Sequence, residues 1–308
     1  MMKSDERYRS EEAIVPFRDH STWTRSTVPA TDYRPDLPPL VILHGGPGMP
    51  HDYSKPMIAF CDDGRKVIHY DQIGCGRSSH RPDAPKTFWN VQLFVDELSN
   101  LVDFYGLENG FHLLGQSWGG MLGPEYVLQC PEGVLSMTLS NSPASMPLWT
   151  EGTSRLIEEL PTDVQTQIRK HEVAGTTSHQ EYVDAVDFFY HKHLCRLDPF
   201  PQDLTDSIER MAADPTVYNT MIGPSEFTIT GSLKEWTVID RLHQIVTPTL
   251  VVAGEFDEAR PIAWRPFVER MPNASSYVFP NASHTPHLEC PEEYFRVVGE
   301  FLRTNDIK

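Results

Sequence analysis

Short, continuously apolar runs recur along this chain, each stopping at a turn or polar residue and separated by helical patterns. That alternation limits the available folds more than any other feature. Pro39-Leu40-Val41-Ile42-Leu43 runs into a glycine-rich turn, Lys66-Val67-Ile68-His69-Tyr70 ends at Asp71, and Phe111-His112-Leu113-Leu114-Gly115 leads to Ser117. Leu135 to Leu139, Thr249 to Ala253 and Ser276 to Phe279 repeat the pattern. A strand that is apolar on both sides is buried on both faces, as in a parallel sheet covered by helices. Helical spacing is clearest from Val91 to Tyr105, where Leu93, Phe94, Leu98, Leu101, Val102 and Tyr105 recur at intervals of three and four. Met121 to Gln129 and Pro291 to Leu302 read the same way. The polar N-terminal region carries β-prone pieces such as Ser21-Thr22-Trp23-Thr24 and predicts an edge hairpin. The expected class is α/β, a doubly wound and mostly parallel sheet.

One stretch breaks the alternation. From Met146 to Leu242 no buried strand is readable, only helical patterns over Thr153 to Leu160, Asp163 to Val173 and Gln180 to His193, with prolines at 199, 201 and 215. The expectation is a helical cap at 146–242, inserted after the sixth strand, with residues 1–145 and 243–308 forming one core. The 26 prolines in 308 residues fit many rigid connections.

Charge excludes whole classes of partner. With 26 Lys+Arg against 43 Asp+Glu, the formal charge of −17 offers nothing to replace counterions on a phosphate backbone or to hold an anionic membrane. No apolar run reaches the ~18 residues that a bilayer span needs. The start, Met1 to Arg7, is polar and lacks a signal peptide's apolar stretch. Five scattered cysteines, at 61, 75, 130, 195 and 290, read as reduced thiols. A cytoplasmic setting is expected; no oligomeric state is readable.

Gly115-Gln116-Ser117-Trp118-Gly119 matches G-x-S-x-G between a predicted strand and a predicted helix, the context in which such a turn lifts a serine hydroxyl above a sheet. A serine hydroxyl needs a base, and the base needs an orienting acid. On such a strand–turn–helix elbow the order is serine, acid, histidine. After the strand at 249–253, Glu255, Asp257 and Glu258 compete; Asp257 is preferred because a short turn carries it back over the sheet edge. After the strand at 276–279, His284 is preferred over His287. His44-Gly45-Gly46-Pro47-Gly48 follows the first buried strand, where a free N–H can join that of Trp118 at an oxyanion. Neither a phosphate loop nor a dinucleotide fingerprint is complete, and His191-Lys192-His193 with Cys195 lacks a second ligand pair. No metal or cofactor is expected.

The HGGPG at 44–48, the segment Asp71-Gln72-Ile73-Gly74-Cys75-Gly76-Arg77-Ser78, GQSWGG at 115–120 and Gly254 to Glu258 together resemble the proline iminopeptidase family of α/β-hydrolases. The resemblance runs from about residue 12 to 304 and is closer still to the L-amino acid amidase and tricorn-interacting-factor branches. It implies Ser117 as nucleophile, Asp257 as acid, His284 as base, and Gly46 and Trp118 as oxyanion donors. It further implies that acidic residues hold the substrate's free α-amino group: Glu226, within Gly223-Pro224-Ser225-Glu226-Phe227, and Glu258, with Tyr218 touching substrate. The activity so implied is cleavage of an amide or peptide bond after an N-terminal residue, through an acyl-enzyme, on a small peptide or amino acid amide. An esterase or lactonase on the same scaffold, or a catalytically silent small-molecule-binding relative, are the competing readings.

Overall fold

The computed structural model describes residues 7–306, so Met1 to Glu6, most of the polar start discussed above, lie outside the described residues. One eight-stranded sheet organises the chain, in the order β1-β2-β4-β3-β5-β6-β7-β8. The hairpin of β1 (Tyr8–Phe17) and β2 (His20–Pro29) forms one edge, and β2 pairs antiparallel with β4 (Val67–Asp71). From β4 onward every pairing is parallel, through β3 (Leu40–Leu43), β5 (Phe111–Gln116), β6 (Val134–Ser140), β7 (Thr249–Gly254) and β8 (Ala274–Phe279). Leu40, Val41, Ile42 and Leu43 are each at most 1% exposed, as the unbroken apolar run requires of a strand covered on both faces. Burying one such side chain contributes about 1.5–3 kcal/mol.

Helix α1 (Val91–Tyr105) has the limits its periodicity predicts. Asn90 accepts the Leu93 N–H at its start, and Gly106 turns left-handed at its end. Its buried Glu97 faces the sheet and takes the Ile73 N–H at 2.9 Å and the Thr22 hydroxyl, pinning the loop that follows β4. Burial pushes that carboxyl up to about 8, against the opposing hydrogen bonds. Helix α2 (Trp118–Val127) begins three residues before the pattern announces it, because Gly119 and Gly120 carry no apolar signal.

Between β6 and β7 lie α3 (Met146–Glu158), α4 (Thr162–Ala174), α5 (Gln180–His193), α6 (Gln202–Ala213) and α7 (Thr216–Met221). The last two are not visible as helices in the pattern. Two of the three prolines that look like interruptions are starts instead: Pro201 precedes α6 and Pro215 precedes α7, while Pro199 lies in the connection between α5 and α6. Proline suits a helix start because its missing N–H has no partner there in any case. The same device opens α8 (Pro261–Arg270), α9 (Pro286–Glu289) and α10 (Pro291–Thr304). Tyr182, Ala185 and Phe189 of α5 pack with Leu156, Ile168 and Phe227 into a small core separate from that of the sheet. Among the described residues, no helix is long and apolar enough to cross a membrane.

Candidate active site

Ser117 sits at the turn between β5 and α2 with φ 53° and ψ −119°, a backbone that side-chain-bearing residues rarely adopt. The glycines around it are there for contact. A Cβ on Gly115 would strike the backbone of Gly119, and one on Gly119 would strike the backbone of Leu43. Strand and helix therefore meet closely enough to hold the serine in its strained pose, half-buried above the sheet edge.

Asp257 and His284 arrive from the loops after β7 and β8. His284 Nδ1 donates to Asp257 Oδ1 at 2.7 Å, and both side chains are buried. Asp257 Oδ1 also accepts the Ala259 N–H at 2.8 Å and Oδ2 the Asn141 amide at 2.6 Å, so the carboxylate is fixed in plane. The rivals point elsewhere. Glu255 is exposed and takes the Asn281 N–H, while His287 Nε2 contacts the Tyr53 carbonyl at 3.0 Å. Burial would lower the His284 imidazolium, but the carboxylates of Asp257, Glu258 and Glu226 outweigh it and push it up to about 9. Ser117 and His284 line one small cavity, although no hydrogen bond joins their side chains in this structure. Such contacts often tighten only when substrate is bound.

A second small cavity at Ser117 shares Gly46 with the first and is lined further by Trp118, Met121, Met146, Trp149 and Ile222. Trp118 opens α2, where helix geometry leaves the first N–H groups without an intrahelical acceptor. Glu226 lines both cavities, and Tyr218 donates to its Oε1 at 2.8 Å. Glu258 is completely buried, 3.8 Å from His284 Nε2, and neither of its carboxylate oxygens has a hydrogen-bond partner. Burial raises both glutamates, Glu258 far more than an ordinary carboxyl. Glu226 thus faces the cavities at Ser117, and Glu258 lies against His284.

A profile of the alpha/beta hydrolase fold matches residues 38–291. The proline iminopeptidase of Heyndrickxia coagulans is 37% identical over 86% of this chain and 91% of its own length. The crystal structure of the proline iminopeptidase of Mycobacterium smegmatis superposes with a TM-score of 0.90 at 49% identity, covering 96% of this chain and 98% of that one. That of VinJ superposes at 0.92 with 42% identity, covering 96% and 99%. The chain belongs to the proline iminopeptidase family of α/β-hydrolases.

Seen within that family, several side chains that sequence patterns do not single out hold the site together. Tyr53 accepts the Gly45 N–H at 2.7 Å and donates to Gln116 Oε1 at 2.5 Å, while Gln116 Nε2 donates to the His284 carbonyl at 3.1 Å. One amide thus links the HGGPG turn, the nucleophile strand and the histidine loop. Gln72 takes the Trp118 indole N–H at 2.8 Å and donates to the His44 carbonyl at 3.1 Å, which explains why the segment after β4 accompanies the HGGPG motif. Trp149 packs edge-on against His284 and donates to the Glu226 carbonyl at 2.5 Å.

Among the described residues, two groups of side chains bring potential metal-ligating atoms within 4.8 Å: His44, Asp71 and Cys75, and His171, His179 and Glu181. In the first, His44 already accepts from Gln72 N–H and contacts the Gly45 carbonyl, and Asp71 accepts from His51 and the Arg77 N–H. In the second, Glu181 pairs with Lys170 and His171. Neither group lines the cavities at Ser117. His193 Nδ1 binds the Phe256 carbonyl and His191 stacks on Phe200, so the His191–Cys195 segment does not converge on a metal.

Proposed function

We propose that this chain is a serine aminopeptidase of the prolyl aminopeptidase and amino acid amidase type, cleaving the bond after an N-terminal residue whose α-amino group is free. What supports this most is Glu226, which lines the same cavity as Ser117 and His284, with unpartnered Glu258 behind them. Ser117 Oγ attacks the carbonyl carbon while His284 Nε2 takes its proton and Nδ1–H stays on Asp257. The oxyanion meets the N–H groups of Gly46 and Trp118, each worth about 3 kcal/mol in the transition state. His284 then returns the proton to the departing amine, and water, deprotonated by His284, releases the amino acid from the acyl-enzyme. No cofactor enters these steps.

Glu226, Glu258 and Tyr218 receive the substrate ammonium, with each charge-assisted hydrogen bond contributing roughly 1.5–3 kcal/mol. Met121, Pro143, Met146, Trp149 and Ile222 line the other small cavity at Ser117 and give the substrate's first residue apolar contacts. Residues 146–242 act as a cap over a core of 1–145 and 243–308. The substrate is a small peptide or amino acid amide, with neither nucleic acid nor membrane as partner. A cytoplasmic location agrees with five cysteines that form no disulfide. An esterase or lactonase would have no use for one carboxyl lining its serine's cavity and a second, buried, against its histidine.

The test is a panel of aminoacyl arylamides, proline among them, beside their N-acetylated counterparts. Activity that disappears on N-acetylation is expected; equal rates on both sets would overturn the reading.

A further inference from the structure

We propose that α5 and α6 wall a leaving-group site for a neutral, apolar amine, so that the preferred substrates are aminoacyl amides of apolar amines, not short peptides ending in a free carboxylate. This rests on the aminopeptidase reading above and names the chemistry of its leaving group.

The two cavities that meet at Ser117 differ in which catalytic groups they hold. Gly46, Ser117 and Glu226 line both, but Trp118 lines only the first and His284 and Thr285 only the second. Because His284 must hand its proton to the departing nitrogen, the leaving group lies on His284's side. That side shares Met49, Leu194 and Glu226 with a larger cavity of about 380 Å³ between α5 and α6. This volume is within the ordinary range of ligand pockets and far exceeds what ammonia needs.

The walls define the occupant. Val186 and Tyr190 of α5 face Phe200 just before α6 and Ile208 and Met211 on it. Val186 and Tyr190 also pack against the small core of Tyr182, Ala185 and Phe189, and Tyr182 itself reaches the cavity, so the wall is backed by packed apolar side chains. Besides Glu226, which the substrate ammonium neutralises, the lining bears one carboxylate, the exposed Asp187, and neither lysine nor arginine. A peptide's terminal carboxylate entering here meets like charge with no counterion, which discriminates against it. An uncharged alkyl or aryl group instead replaces water against apolar walls.

The experiment compares kcat/KM for prolyl methyl-, butyl- and hexylamide, whose departing amines have similar basicity, and for Pro-Leu beside Pro-Leu-NH2. The expected result is a rise of about fourfold per added methylene and a penalty of at least about tenfold for the free carboxylate. Ile208→Asp should flatten the chain-length series, and Asp187→Lys should narrow the carboxylate penalty. A flat series on an enzyme that still requires the free amine overturns the leaving-group site and leaves the aminopeptidase reading standing. Inactivity on every amide strikes the aminopeptidase reading instead. The site is then read without turnover, by calorimetry of 1-hexanol binding to the Ser117→Ala protein. Saturable binding that Ile208→Asp abolishes supports the site, and no binding overturns it.

Discussion

Replacing Glu258 by glutamine keeps the shape of a completely buried side chain and removes one charge 3.8 Å from the imidazole that must act as base. At that separation, with an effective dielectric of about 20, the two charges interact by about 4 kcal/mol, enough to move a titration midpoint by about three pH units. Burial raises Glu258's own carboxyl as well, so it is charged only part of the time and the cluster titrates together. The expected movement is therefore smaller, at least about one pH unit. Its sign is fixed: losing a carboxylate destabilises the imidazolium, so His284 falls from about 9 toward neutrality. The assay is the pH dependence of kcat/KM on a neutral ester, which has no ammonium to interfere and reports the free enzyme. Unaltered enzyme gains activity as pH rises through about 9, and the variant gains it earlier. For an aminoacyl amide, whose ammonium itself neutralises the glutamates, the acid limb of kcat should already lie lower in the unaltered enzyme. An ester profile identical in the two proteins would refute the coupling of Glu258 to the base.

Three further outcomes are expected. Ser117→Ala should lose at least ~10⁴ in kcat, and Asp257→Asn a similar factor through a misoriented imidazole, with unchanged circular dichroism; undiminished turnover by either removes it from the mechanism. Glu226→Gln should raise KM for aminoacyl amides by roughly 10–100-fold while barely changing it for neutral esters, and equal changes on both would exclude amine anchoring. At Glu97, pushed up to about 8 by burial, the folded protein keeps a proton that the unfolded chain gives up near 4.5, so stability falls as pH rises between these values. Denaturation midpoints of Glu97→Gln should therefore gain on the unaltered protein between pH 5 and 8, and a constant difference would contradict this account.

How far the sequence reveals all this depends on whether a feature is local. Strands β3 to β7 are legible because burial on both faces writes an unbroken apolar run, and α1 because one buried face repeats every three to four residues. Ser117 is legible because close backbone contact at the elbow demands glycine on either side. Helices α6 and α7 are hidden by prolines that mark starts and resemble stops. The contacts of Tyr53 with Gln116, and of Asn141 with Asp257, join residues 63 and 116 positions apart and leave no periodic trace. The turn position that favours Asp257 over Glu255 is local, but the His284, Asn141 and Ala259 groups that converge on its carboxylate are distant or conformational and leave no trace in the sequence.

The carbonyl of His193, the last residue of α5, accepts the N–H of Glu258 at 3.3 Å and of His284 at 3.2 Å. Helix α5 is thereby fastened to the loops after both β7 and β8. Pulling that helix away would break both ties at once and loosen the backbone beneath the imidazole.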